Sequence, residues 1–332
     1  MGLHLVAYGG RNDSLFHGGI GESLFFPDQP TVGELEYQFD RVMQQSGCAS
    51  VPENQQMSCL RSKNDTALQA LNNGQAFPGR TASPPPLFYW TPCIDGDLFP
   101  DLPYTLFQTG KFVHAPVLFG TATNEGSMFA FDAHNPAEMV NFFYNNYPKL
   151  TANDTDTIVA MYPQMPPLPQ HQAWFPSTSM AYGEATFICP TVNILNAVQA
   201  GGGGSGAPGI YSYRYNVQDD QLNADGLGVV HTFEAAAVFG PDNVGGIALP
   251  SYYTYNAPII PVVMNYVISF VRTLDPNPYR APGAPVWEPW ASGQGMGRLL
   301  FETNNSRMEV TPQDQLARCE FWLGVGMATA EQ

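Results

Sequence analysis

An α/β architecture, with a mostly parallel sheet packed between helices, is predicted first by residues 115–120, APVLFG. This run is apolar without interruption, as a strand covered on both faces must be, whereas a half-wet strand alternates. Segments of helical periodicity are interspersed with strand-like ones along the chain. The 30 prolines and 32 glycines among 332 residues call for many turns and long connections, which suits a large α/β enzyme better than a helical bundle.

Taken in chain order, residues 1–7 read as the last turns of an amphipathic helix, with Leu3, Val6 and Ala7 on one face and Gly9 and Gly10 ending it. No N-cap precedes this helix, and the segment has neither the basic start nor the apolar run of a signal peptide, so further polypeptide is expected ahead of it. Residues 15–23 read as a short glycine-rich strand. Residues 31–45 read as a helix: Thr31 and Glu34 suit a reciprocal N-terminal cap, Leu35, Phe39, Val42 and Met43 recur at helical spacing, and Gly47 lies just past the end. Two short helices are expected on either side of Cys59. Pro84-Pro85-Pro86 then breaks the pattern before residues 87–94, which run into Asp95-Gly96 and read as a strand and turn.

Beyond the central strand, residues 137–146, 154–162 and 179–200 carry helical patterns, so 135–200 reads as a mainly helical insertion above the sheet. The glycine run 201–209 is a surface connection into 210–217, IYSYRYNV, whose Tyr and Val content suits a strand. It is not a phosphate-binding loop, because such a loop follows a strand and opens a helix, and this one does the reverse. Residues 259–273 form a buried helix, 298–302 the last strand, and 311–323 a closing helix with Thr311-x-x-Asp314 at its start. With no internal repeat and no interdomain linker, residues 1–332 read as one domain.

Charge and apolar content narrow the function. Thirteen Lys and Arg against 29 Asp and Glu give a net charge of −16, and such a surface repels phosphate backbones and anionic headgroups. Nucleic-acid binding is therefore not expected. The longest apolar stretch, 259–271, is too short for a bilayer crossing and contains Pro261 and Asn265, so no membrane span is expected. Cys48 and Cys59 are close enough in sequence to clip a loop, a bridge that would contribute about 2 to 3 kcal/mol and imply an oxidising compartment. Four Asn-x-Ser/Thr sequons, at Asn12, Asn64, Asn153 and Asn304, point the same way, toward a secreted parent protein. Cys93, Cys189 and Cys319 read as buried free thiols.

Two segments carry chemistry: Gly120-Thr-Ala-Thr-Asn-Glu125-Gly126 and Gly228-Val-Val-His231-Thr-Phe-Glu234. In the first, an apolar strand runs into a loop presenting a carboxylate at its carboxyl end, where α/β sheets build their sites. In the second, a histidine lies in a loop beyond the next strand. Carboxylate before histidine on successive strand ends is the order in which α/β-hydrolases place a triad after its nucleophile. No metal-binding spacing accompanies them, and neither a metal nor a cofactor is expected.

Around these residues the chain resembles the C-terminal part of a type-B carboxylesterase, the cholinesterase and fungal lipase family of serine hydrolases. LHLVAYGGRNDSLFHGGIGES is similar to the segment after the family's nucleophile elbow, GCASVPENQQMSCLRS to its second disulfide loop, and CIDGDLFPDLP to its Asp-Gly turn. HAPVLFGTATNEGSMF resembles the acid strand and loop, GVVHTFEAAAVFG the histidine loop, and SFVRTLDPNP and RCEFW the closing helices. The resemblance implies an α/β-hydrolase fold, here the C-terminal portion of the central sheet without its N-terminal strands. It implies that Glu125 is the triad acid, that His231 is the general base, and that Cys48 pairs with Cys59.

It also implies a carboxylic ester hydrolase whose nucleophilic serine, in a Gly-x-Ser-x-Gly elbow, and whose oxyanion loop lie upstream of this sequence. The isolated chain is then expected to be inactive, to expose a bare sheet edge, and to need the N-terminal segment as partner and a small-molecule or lipid ester as substrate. Two local decoys fail. Gly21-Glu22-Ser23 is followed by Leu24 and Phe25 and lacks the second glycine, so Ser23 reads as a structural hydrogen-bonding group, while Gly203-Gly204-Ser205-Gly206-Ala207 sits in a connection. Competing readings are a catalytically dead cholinesterase-like binding or adhesion module and a truncated gene product. Phe129, Phe131, Phe142 and Phe143 are open between core and gorge.

Overall fold

The computed structural model describes residues 1–201, 209–292 and 295–332. Five strands form one sheet in chain order: β1 (Gly19–Glu22), β2 (Val117–Ala122), β3 (Ile210–Tyr215), β4 (Gly297–Phe301) and β5 (Arg307–Val310). β1 to β4 run parallel, and β5 returns antiparallel on β4. Parallel neighbours need long crossovers, and these carry all but the first and last of the helices. The helices are α1 (Gly2–Val6), α2 (Glu36–Gln45), α3 (Glu53–Arg61), α4 (Asp65–Gln69), α5 (Pro103–Gln108), α6 (Pro136–Asn146), α7 (Ala152–Met161), α8 (Phe175–Gly183), α9 (Cys189–Gly201), α10 (Asp220–Ala224), α11 (Ala235–Phe239), α12 (Ile259–Thr273) and α13 (Gln313–Thr329).

All of β2 is buried because the sheet has a core on each face. Val117 and Phe119 point into one, with Leu5, Leu106, Phe143, Ile194 and Trp322, while Leu118 and Ala122 point into the other, with Tyr213, Val263, Tyr266 and Trp287. No helix among the described residues is long and apolar enough to cross a membrane.

Several local expectations change. Residues 87–94 form no strand; only Ile94 bridges Thr31, and Pro92 supplies no ladder donor. The cap at Thr31 forms, with Thr31 N donating to Glu34 Oε2 at 2.8 Å and Glu34 N to Thr31 Oγ1 at 3.4 Å, but the first turn is a tight 3₁₀ turn and α2 begins at Glu36. Cys59 lies inside α3 rather than between helices. Residues 298–302 are not the last strand: β5 follows, an exposed edge strand whose Arg-Met-Glu-Val gives little apolar signal. Thr311 caps nothing, since its hydroxyl donates to Met296 O at 2.9 Å, and α13 starts behind Pro312 and extends to Thr329. The glycine run at 202–208, with the decoy Ser205, lies outside the described residues.

Cys48 and Cys59 are disulfide-bonded. The expectation of free thiols at Cys189 and Cys319 is corrected, because these two form a second bridge across 130 residues. Sequence separation hides the proximity, which arises where α9 packs along α13. Cys93, half-buried, is the free cysteine. Asn12, Asn64, Asn153 and Asn304 are all exposed.

Candidate active site

β2 ends at Ala122, and the turn that follows carries Glu125 with a fully buried side chain. Its two oxygens face different partners. Oε1 accepts the Ala122 N–H at 2.6 Å and the Ser23 hydroxyl at 2.5 Å, while Oε2 lies 2.6 Å from Nδ1 of His231. A carboxylate only accepts, so Nδ1 carries the hydrogen and Nε2 holds the basic lone pair. The His231 side chain is 20% exposed, and its Nε2 has no hydrogen-bond partner among the described residues. The structure thus brings together the two residues singled out in the sequence, 106 positions apart.

The two loops are joined by backbone as well. Asn124 N donates to Val229 O at 2.9 Å, and Val229 N donates to the Asn124 side-chain oxygen at 2.9 Å, beside a parallel bridge between Asn124 and Val230. Gly228 adopts φ +64°, and a Cβ there would lie 2.4 Å from Asn124 Oδ1, so only glycine lets the loops approach. Asn124 and Gly228 flank the chemical residues, and their role becomes visible only when the loops meet.

Aromatic rings enclose the imidazole. Phe187 lies 4.5 Å and Phe129 5.3 Å from it, centroid to centroid, with Phe25 and Phe88 continuing the cluster. Of the four phenylalanines left open, Phe142 and Phe143 are core, Phe131 is half-buried, and Phe129 reaches the histidine. On another side, a cavity of about 290 Å³ is lined by Met128, Leu227, Val230, His231, Ile247 and Leu249, among others, and no Asp, Glu, Lys or Arg lines it.

Glu234, three residues past His231, is almost fully buried, and the Tyr213 hydroxyl donates to it at 3.2 Å. Burial, followed by the charge of Glu125, pushes its carboxyl up to about 8, so it adds no second negative charge beside the acid near neutral pH. Ser23 follows β1 at φ +61°, and its hydroxyl bonds the carboxylate rather than the imidazole. Among the described residues, no group of three or more His, Cys, Asp and Glu side chains is arranged to hold a metal ion.

The chain matches the sequence model of the carboxylesterase family over residues 3–322. It is 27% identical over 309 residues to Lipase 4 of Diutina rugosa, covering 87% of this chain and 50% of that protein. It is 25% identical over 339 residues to the acetylcholinesterase of Bungarus fasciatus, covering 97% of this chain and 53% of that protein. The crystal structure of Aspergillus niger EstA superimposes with a TM-score of 0.91 at 42% identity, covering 98% of this chain and 62% of EstA. The chain spans about half the length of these two curated relatives.

Proposed function

This chain belongs to the carboxylesterase family and has the α/β-hydrolase fold, and from that premise we propose that it is the acid-and-base part of a serine carboxylic ester hydrolase. The observation that carries the reading is the 2.6 Å contact between Glu125 Oε2 and His231 Nδ1, which leaves Nε2 as the base. In this reading His231 takes the proton of a serine hydroxyl as it attacks the ester carbonyl, then returns it to the departing alcohol. Glu125 holds the tautomer and stabilises the imidazolium.

The serine and the oxyanion donors would come from polypeptide ahead of this sequence, joining the sheet beside β1, whose outer edge pairs with no described strand. Residues 1–332 are then one partial domain, with the helical region 135–200 above the sheet, and the chain alone is inactive. The apolar cavity beside His231 favours an uncharged ester. Two disulfides and four exposed sequons support secretion of the parent as a glycoprotein.

The test is a serine-directed phosphonate probe applied to two proteins: this chain alone, and this chain extended by its upstream coding sequence. Labelling and ester hydrolysis confined to the extended protein support the proposal. Labelling of this chain by itself, mapped to one of its own serines, overturns it, and no labelling of either favours a binding module. A mass loss on enzymatic deglycosylation of the secreted protein tests the sequons.

A further inference from the structure

Between α8 and α9 the helix does not simply continue. Glu184–Ile188 winds as a π-helix, wholly buried, inside what would otherwise be one long helix from Phe175 to Gly201. A π-turn takes in one extra residue, and each added residue rotates everything beyond it by about 100° relative to a regular helix. Here two of its carbonyls accept from other elements. Thr186 O accepts from Phe26 N at 3.0 Å, and Ala185 O accepts from Gln332 Nε2 at 3.2 Å.

The turn is held on all sides. Glu184 receives Arg318 through two bonds of 2.7 and 2.8 Å and the Tyr162 hydroxyl at 2.6 Å, and the Cys189–Cys319 bridge follows directly after it. At its front, Gly183 packs backbone to backbone on the acid loop: a Cβ on Gly183 would lie 2.7 Å from Gly126 N and 3.3 Å from the Cβ of Glu125. At its far end, Phe187 is aimed at His231, with rings 4.5 Å apart and inclined by 39°. The bond to Glu125 fixes one atom of the imidazole and leaves the ring free to pivot about it. A second, face-side contact is needed to fix the plane and the direction of Nε2, and a near-attack geometry tolerates little error there.

We propose that the π-turn Glu184–Ile188 is a positioning element of the acid–base pair, holding the acid loop through Gly183 and the imidazole plane through Phe187. Phe187 touches no reacting atom; it acts through His231. This inference rests on the hydrolase reading for its kinetic consequence, but not for its structural one.

The experiment compares Phe187→Ala, Phe187→Leu and Phe187→Tyr in the complete protein, by kinetics and by ¹⁵N NMR of labelled histidine. Phe187→Ala and Phe187→Leu are expected to lower kcat roughly tenfold or more with KM changed less than about threefold, and Phe187→Tyr to restore it. The His231 ring-nitrogen signals are expected to move and broaden in Phe187→Ala and Phe187→Leu, as the ring samples several planes about its bond to Glu125, and to return to their original positions in Phe187→Tyr. Leu preserves an apolar filling of the site, so it separates loss of packing from loss of the ring. Unchanged ¹⁵N shifts in a folded Phe187→Leu protein, or a rise in KM with kcat intact, overturns the proposal. If the complete protein hydrolyses no ester, the hydrolase reading fails while the NMR comparison still decides the positioning role.

Discussion

Ser23 donates its hydroxyl to Glu125 Oε1 at 2.5 Å, on the carboxylate oxygen that His231 does not use. The residue directly follows β1, as Glu125 follows the adjacent strand β2, so the ends of neighbouring strands meet on one carboxylate. A hydrogen bond to a charged acceptor contributes about 1.5 to 3 kcal/mol, and its loss here would loosen the acid rather than remove it. Ser23→Ala is expected to lower kcat in the complete enzyme by roughly ten- to a hundredfold while phosphonate labelling continues at another serine. Complete loss of labelling would instead make Ser23 the nucleophile.

Replacing Glu125 itself should cost more. Glu125→Gln keeps the shape of the side chain but removes the charge that stabilises the imidazolium and lets the amide favour the wrong tautomer. A fall in kcat on the order of 10³ to 10⁴ is expected, with an unchanged circular dichroism spectrum. A loss below tenfold would mean that His231 works without this acid.

Two buried carboxyls near the end of α13 make stability depend on pH. Burial, reinforced by the charge of Glu331, pushes Asp28 up to about 8, and burial pushes Glu331 up to about 7. Both values lie above those of an unfolded chain, so between about pH 4 and 7 the native state keeps protons that the unfolded state has released. Stability therefore falls as pH rises through this window, on the order of 1 kcal/mol per pH unit for each retained proton. Urea unfolding at pH 5.5, 6.5 and 7.5 should show the midpoint declining. Asp28→Asn should flatten that decline, because an amide has no proton for the native state to retain.

The two disulfides should differ in weight. Cys48 and Cys59 are separated by 11 residues, Cys189 and Cys319 by 130. Chain entropy assigns about 3 kcal/mol to the first and about 5 kcal/mol to the second. Thermal unfolding of Cys48→Ser and Cys189→Ser variants should show the larger drop in Tm for Cys189→Ser, which also loosens α9 against α13.

The sequence makes the parallel core and the two loops that bring Glu125 to His231 legible, because both rest on short-range signals: an uninterrupted apolar run at 115–120 and two loops placed after strands. It hides whatever depends on elements meeting. Cys189 gives no sign of Cys319, and a charged edge strand such as Arg307–Val310 looks like a loop. The π-turn is equally silent, since Glu184–Ile188 has the composition of any buried helix. Conversely, residues 87–94 have the composition of a strand but no partner strand to pair with, and propensity alone cannot supply one.

The sheet's two rims are unlike. β5 shows Arg307, ion-paired to Glu302, and Glu309, clasped by Arg214 and Arg298, so that margin is guarded by charge. β1 offers Gly19, Ile20, Gly21 and Glu22, with little to turn an arriving strand away. Charge thus closes one rim of the sheet, while the other leaves its backbone open beside Ser23 and, one strand in, Glu125.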